Sequence, residues 1–232
     1  MMMFYDPVFL MFMIPGLILS LIASVATKST FMKYSKVPAS SGMTGAQAAE
    51  AMLSSAGVYD VAIEPVGGFL SDHYDPSSKT LRLSDEVYAS RSLSAIGVAC
   101  HEAGHALQHA EGYGPLGLRS ALVPATNFAS NFSYWIILAG FIFHSQQLVL
   151  LGAILFGAAV VFAIVTLPVE WNASARAKKL MVSSGIVSES EAEMAGKVLN
   201  AAFMTYLAAA VSALLTMLYY LMRAGLLGGS DD

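Results

Sequence analysis

The sequence predicts a mainly α-helical integral membrane protein, with about four transmembrane helices and a small cytoplasmic α+β insertion. Composition is the first reason. Of 232 residues, 56% are hydrophobic and 12% charged, with a mean hydropathy of +0.62. A soluble domain carries about 25% charged residues, so so few charges point to lipid as solvent. Long apolar runs are the second reason, because about 20 such residues are needed to cross a bilayer as a helix. The third is the placement of basic residues, all but one of which fall between the first and second runs or between the third and fourth.

Residues 8–26 contain no ionisable side chain and form the first expected span. A cleaved signal peptide would begin with a basic segment, whereas Asp6-Pro7 precedes this run, so the span is read as retained. Residues 27–45, rich in Lys, Ser, Thr and Gly, read as a linker at the membrane surface. Thr44-Gly45-Ala46-Gln47 is a capping box opening a helix that runs to Ala56 and stops at Gly57. Residues 61–66, 69–74 and 80–83 read as short strands, with Gly67-Gly68 and Asp75-Pro76-Ser77-Ser78 as turns. A second helix is expected to begin near residues 85–90 and to run through to about Ala110, ending at Gly112. The α+β segment thus covers residues 27–120.

Residues 121–143 form the second expected span. Their first half carries Asn127, Ser130, Asn131 and Ser133, and those side chains are expected to face the bundle interior. His144-Ser145-Gln146-Gln147 then turns the chain directly into the third span, residues 148–167. A polar segment, 168–198, leads to the fourth span at 199–222, and Ser188-Glu189-Ser190-Glu191 caps the helix that enters it. Glu189, Glu191 and Glu193 are read as charges complementing that helix N-terminus.

Lys28, Lys33, Lys36, Lys79, Arg82, Arg91 and Arg119 lie between the first two spans; Arg176, Lys178, Lys179 and Lys197 lie between the last two. Only Arg223 is left for the other side. By the positive-inside rule both large segments are cytoplasmic and both termini outside. A net charge of −4 without a basic run excludes nucleic acid as an expected partner. The single cysteine, Cys100, excludes an internal disulfide and reads as a small buried helix residue.

The chemistry is concentrated in His101-Glu102-Ala103-Gly104-His105, within the second expected helix. Residues four apart share a helix face, so both imidazoles can hold one Zn²⁺. Glu102 sits about 100° round the helix, where its carboxylate reaches a water on the metal rather than the metal itself. Catalytic zinc normally has three protein ligands. The outward hairpin between the second and third spans returns the chain to the side it left. Whatever precedes the second span therefore meets whatever follows the third. Glu170 stands there, a lone carboxylate at the end of an apolar run, costly to bury unless a cation compensates it. Zinc would do so; a Glu at the interface reaching water is the other reading.

His101-Glu-Ala-Gly-His-Ala-Leu-Gln-His109, Glu170-Trp-Asn172-Ala173-Ser174 and Leu70-Ser-Asp-His-Tyr-Asp-Pro76 together resemble the YugP-type membrane zinc metallopeptidases of bacteria. The likeness covers essentially the whole chain. It implies a gluzincin in the bacterial inner membrane, with His101, His105 and Glu170 as ligands of one catalytic zinc and Glu102 as base; the peptide or membrane-protein substrate is the expectation of the endopeptidase reading below. A more distant similarity is to the CAAX prenyl protease and the heat-shock membrane proteases, whose Glu-x-x-Ala-Asp pattern this chain lacks. Asn172, two residues after Glu170, takes a supporting position near the metal by that resemblance.

His73 lies in Asp72-His73-Tyr74 on an expected strand, where it either contacts the oxyanion of the transition state or sits in a surface turn. His109 is too far along the helix, about 12 Å from His101, to share the ion, and is read as a supporting or interfacial residue. Residues 69–74 or 80–82 are expected to present a strand edge to an extended peptide. The leading function is a membrane-bound endopeptidase. A non-catalytic sensor or scaffold with a structural zinc is the alternative, and it requires a fourth protein ligand such as His73. A transporter lacks the paired intramembrane charges such proteins carry.

Overall fold

The computed structural model describes residues 6–226. The chain is mostly helical, with one small sheet, in the order α1 (Pro7–Tyr34), α2 (Gly45–Ser55), β1 (Ala62–Val66), β2 (His73–Asp75), β3 (Thr80–Ser84), α3 (Asp85–Tyr88), α4 (Leu93–Ala110), α5 (Gly114–Ile142), α6 (Gln146–Ser183) and α7 (Glu189–Arg223). Among the described residues, α1, α6 and α7 are long and apolar enough to cross a membrane. The expected second span is helical to Ile142 as part of α5, but that helix is not among those long and apolar enough to cross. The chain divides into two compact units.

Among the described residues, the first unit comprises 6–23, 118–167 and 205–226. It is held by small residues at helix crossings, the device that lets backbones approach where lipid removes the hydrophobic drive. A Cβ on Gly16 would lie 2.8 Å from Ser212 Oγ, and that hydroxyl donates to Gly16 O at 3.1 Å. Gly140 and Gly152 play the same part in the α5–α6 hairpin, against Val149 and Ile137. Asp6 accepts from the buried Tyr219 hydroxyl at 3.1 Å, beside Arg223.

The second unit comprises residues 24–117 and 168–204. Its core surrounds α4, whose buried side chains include Leu93, Ile96, Ala99, Cys100 and Leu107. Around it pack Met52 of α2, Leu81 and Leu83 of β3, Met181 of α6 and Ala195 of α7. The predicted capping box of α2 is present in full, with Thr44 Oγ1 accepting from Gln47 N and Gln47 Oε1 accepting from Thr44 N.

Four expectations change. The helix predicted to begin near residues 85–90 is interrupted: α3 ends at Tyr88, and α4 starts only at Leu93 with Ser92 as its N-cap. Ser90 and Ser92 hydroxyls compete for backbone donors. The intervening backbone pairs instead with residues 37–39, Ala39 N donating to Arg91 O and Leu93 N to Val37 O. The strand expected over 69–74 shrinks to β2, His73–Asp75. The sheet order is β1-β3-β2, with β1 parallel and β2 antiparallel to β3. The β1–β2 link must therefore cross β3, about 10 Å, and cannot be the two-residue hairpin that Gly67-Gly68 suggested. Finally, residues 80–82 lie in the central strand and offer no free edge, so only β1 and β2 do.

Candidate metal centre

α4 is an uninterrupted helix across the motif, so His101 and His105 stand one turn apart with ring centroids 4.8 Å apart. α6 supplies Glu170 from 65 positions further along the chain. Its carboxylate Oε2 lies 3.1 Å from His101 Nε2 and 3.5 Å from His105 Nε2, and the residue is 1% exposed. What allows this approach is Gly104. A Cβ there would lie 2.7 Å from Ala173 O and 3.2 Å from Ala173 Cα, so α4 and α6 touch backbone to backbone one turn from the three side chains.

The donor set fits zinc. Two imidazole nitrogens and one carboxylate oxygen are borderline-to-hard donors of the kind zinc takes, and tetrahedral bonds of about 2.0–2.2 Å separate ligand atoms by roughly 3.4 Å. Among the described residues His101, His105 and Glu170 are the group able to converge in this way, with ligand atoms within 4.8 Å of one another. Burial alone would push the Glu170 carboxyl up, but hydrogen bonds and charge from His101 and His105 reverse that and hold it well below the usual carboxylate range. Burial would lower His105; the Glu170 hydrogen bond and the Glu102 and Glu170 charges outweigh it and raise the imidazole instead.

The far nitrogen of each imidazole is fixed by a neighbour. His101 Nδ1 is 3.1 Å from Ser174 Oγ on α6. His105 Nδ1 is 3.0 Å from Gln108 Oε1, and Gln108 is fully buried. The Gln108 amide nitrogen donates to Val169 O at 2.8 Å and Asn172 Oδ1 at 2.9 Å. Its oxygen is thus left to accept, so His105 Nδ1 carries a proton, and Nε2, which faces Glu170, is the nitrogen that a metal would take. Asn172 Oδ1 also accepts from Arg176 Nε at 2.7 Å, and Arg176 pairs with Glu111 at 2.7 Å. That guanidinium keeps the Glu111 carboxyl below its ordinary value against a smaller effect of burial.

Glu102 is buried on the same helix. Asp72 is nearby in charge: burial first, and then the Glu102 carboxylate, raise its carboxyl despite hydrogen bonds from Ser84 N and Oγ. His73 is not in the cluster. It is the exposed first residue of edge strand β2, its Nδ1 2.7 Å from Ser71 O. His109 is also outside the cluster, with Nδ1 2.8 Å from the Tyr74 hydroxyl. Gln108, Ser174 and Arg176 join the site only through these contacts within and between α4 and α6. Gln108 carried a usable signal, a buried-type amide three residues after His105 on the same face.

A family model described as "Putative neutral zinc metallopeptidase" matches residues 9–225. The "Putative membrane protease YugP" of Bacillus subtilis (strain 168) is 50% identical over 224 residues, spanning 97% of this chain and 99% of that protein. No solved structure matches.

Proposed function

This chain belongs to the neutral zinc metallopeptidase family, and from that membership and the buried triad we propose that it is a membrane-bound gluzincin-type endopeptidase. Its proposed substrates are membrane or membrane-proximal proteins. The observation that carries the reading is the convergence of His101, His105 and Glu170 with Glu102 on the same turn of α4.

His101, His105 and Glu170 would hold one zinc ion, which would supply a Lewis acid to the scissile carbonyl and the attacking water. Glu102 takes a proton from that water as its oxygen attacks the carbonyl carbon. The same carboxyl then gives the proton to the leaving nitrogen as the C–N bond breaks, which returns Glu102 to its starting charge. Gln108 and Ser174 orient the imidazoles, and Asn172 holds Gln108. His73 and the edge of β2 remain available to an extended peptide, by strand addition and by a donor to the oxyanion. His109 acts through Tyr74 on that strand.

The proposed setting is the bacterial inner membrane with four spans, α5 joining α1, α6 and α7, and the metal site cytoplasmic. The distribution of Lys and Arg supports that orientation. The termini, which lie outside the described residues, are proposed to be external. A structural zinc site would need a fourth donor, and the converging group among the described residues has three.

Glu102→Gln tests the reading. The variant is expected to retain zinc, since no ligand is removed, and to lose peptide hydrolysis by at least about 100-fold. Hydrolysis at the wild-type rate would overturn the assignment of the base.

A further inference from the structure

We propose that the loop between β1 and β2, residues 67–72, is seated in the headgroup layer of the bilayer through Phe69 and Leu70. This rests on the reading that α1 spans the membrane.

The loop is built to present two large apolar side chains outward. Phe69 is 44% exposed and Leu70 43%. Leu70 has a φ of +55°, a left-handed conformation that a bulky side chain rarely adopts and that must be imposed by its surroundings. Both flanks impose it. On one side the Ser71 hydroxyl donates to Gly67 O at 3.1 Å and Gly68 O at 2.9 Å. On the other, the Asp72 carboxylate accepts from Ser84 N at 2.8 Å. A loop pinned in this way, with its apolar residues left outside, is not a collapsed turn.

Its neighbour identifies the partner. Leu17, Leu21 and Val25 are exposed at four-residue intervals on α1, a stripe on one helix face suited to lipid. That stripe runs on to Lys28 and Met32. Lys28 Nζ stands 5.9 Å from the centre of the Phe69 ring, and Phe31 meets the same ring edge-to-face at 5.7 Å. Phe69 therefore sits where the apolar stripe gives way to lysine. A second aromatic–lysine pair occurs nearby: Trp171, 58% exposed, contacts Phe203 at 5.3 Å and lies 5.6 Å from Lys178 Nζ. α7 links the two places, since Thr27 Oγ1 donates to Ala201 O at 2.9 Å, two residues before Phe203. Aromatic rings with cationic neighbours at the end of an apolar run are the composition of a membrane–water boundary. Because β2 follows the loop directly, its free edge opens at the bilayer surface, and the protein segments it can pair with are juxtamembrane ones.

The test uses the full-length protein in phospholipid nanodiscs, in a Cys100→Ala background. Single cysteines at Leu70, at Leu17 and at Ser78 of the β2–β3 turn carry an environment-sensitive fluorophore. The Leu70 probe is expected to emit at shorter wavelength than the Ser78 probe. Lipid spin-labelled near the headgroup is expected to quench it several-fold more than aqueous iodide does. Leu17 should respond to lipid spin-labelled deep in the acyl chain, and Ser78 to iodide alone. Iodide quenching at Leu70 equal to that at Ser78, with lipid quenching retained at Leu17, would overturn the loop's role and leave the membrane reading intact. Loss of lipid quenching at Leu17 as well would overturn both.

Discussion

At the level of single residues, the centre depends on side chains that touch no metal. Gln108 is the sharpest case. Its carbonyl oxygen fixes the proton of His105 on Nδ1, and its amide is in turn committed to Val169 O and Asn172 Oδ1. Gln108→Leu keeps the volume and removes both functions, freeing the imidazole to rotate or to carry its proton on Nε2. The expected result is zinc affinity about 10–100-fold weaker, measured by competition with a chromophoric chelator, with the fold retained by circular dichroism. Unchanged affinity would remove Gln108 from the positioning role. The HExxH residues and Glu170 were legible in the sequence because their chemistry is unusual in an apolar chain. Gln108, Ser174 and Arg176 were not, since a polar residue on a helix gains its meaning only from the helix it faces. His73 illustrates the same limit: its sequence context is open between an oxyanion contact and a surface turn, and its observed bond is to Ser71 O on an exposed strand edge.

Elements bring those residues together, and two contacts decide how. The α4–α6 crossing at Gly104 leaves no room for a Cβ against Ala173 O. Gly104→Ala is expected to separate the helices locally, cost about 1–3 kcal/mol of stability and weaken zinc binding in proportion. Gly117→Ala, where a Cβ meets nothing within 4 Å, is the control and should leave both unchanged or stabilise α5 slightly. The second contact is Glu191. Beyond the predicted capping with Ser188, its carboxylate accepts from Ser40 N at 2.7 Å and Ser40 Oγ at 2.8 Å, tying the start of α7 to the α1–α2 link. Burial would raise this carboxyl, yet the Ser188 and Ser40 hydrogen bonds outweigh it and set it at about 2, against 4.5 when unperturbed. A depressed carboxylate stabilises the fold fully above the unfolded value. That stabilisation is lost as pH falls from about 4.5 toward 2. Glu191→Ala should therefore lower the thermal midpoint at neutral pH, by about 1–3 kcal/mol in stability, and flatten its dependence on pH in that window. A pH profile parallel to that of the parent protein would contradict this. Periodicity exposed the long helices and the α2 cap. It could not reveal the break at residues 89–92, because that break is made by pairing with residues 37–39 rather than by local propensity.

At the scale of the whole chain, the proposed metal centre depends on one long-range meeting, His105 with Glu170. Chain parity anticipated it: a helix entering one span and a carboxylate leaving the next must share a side of the membrane if a short hairpin joins those spans. The hairpin is present, as α5 and α6 joined through a turn at His144, and Glu170 lies 3.5 Å from His105. Sheet topology was not anticipated in the same way, since no local signal tells a strand that its neighbour in sequence will pair on the far side of a third. The most direct test is anomalous diffraction at the zinc edge from crystals of the Glu102→Gln protein. One peak is expected, about 2.0–2.2 Å from His101 Nε2, His105 Nε2 and an oxygen of Glu170. A zinc whose third protein donor is His73 or His109, with Glu170 turned away, would contradict the account even if the protein proved to be a protease.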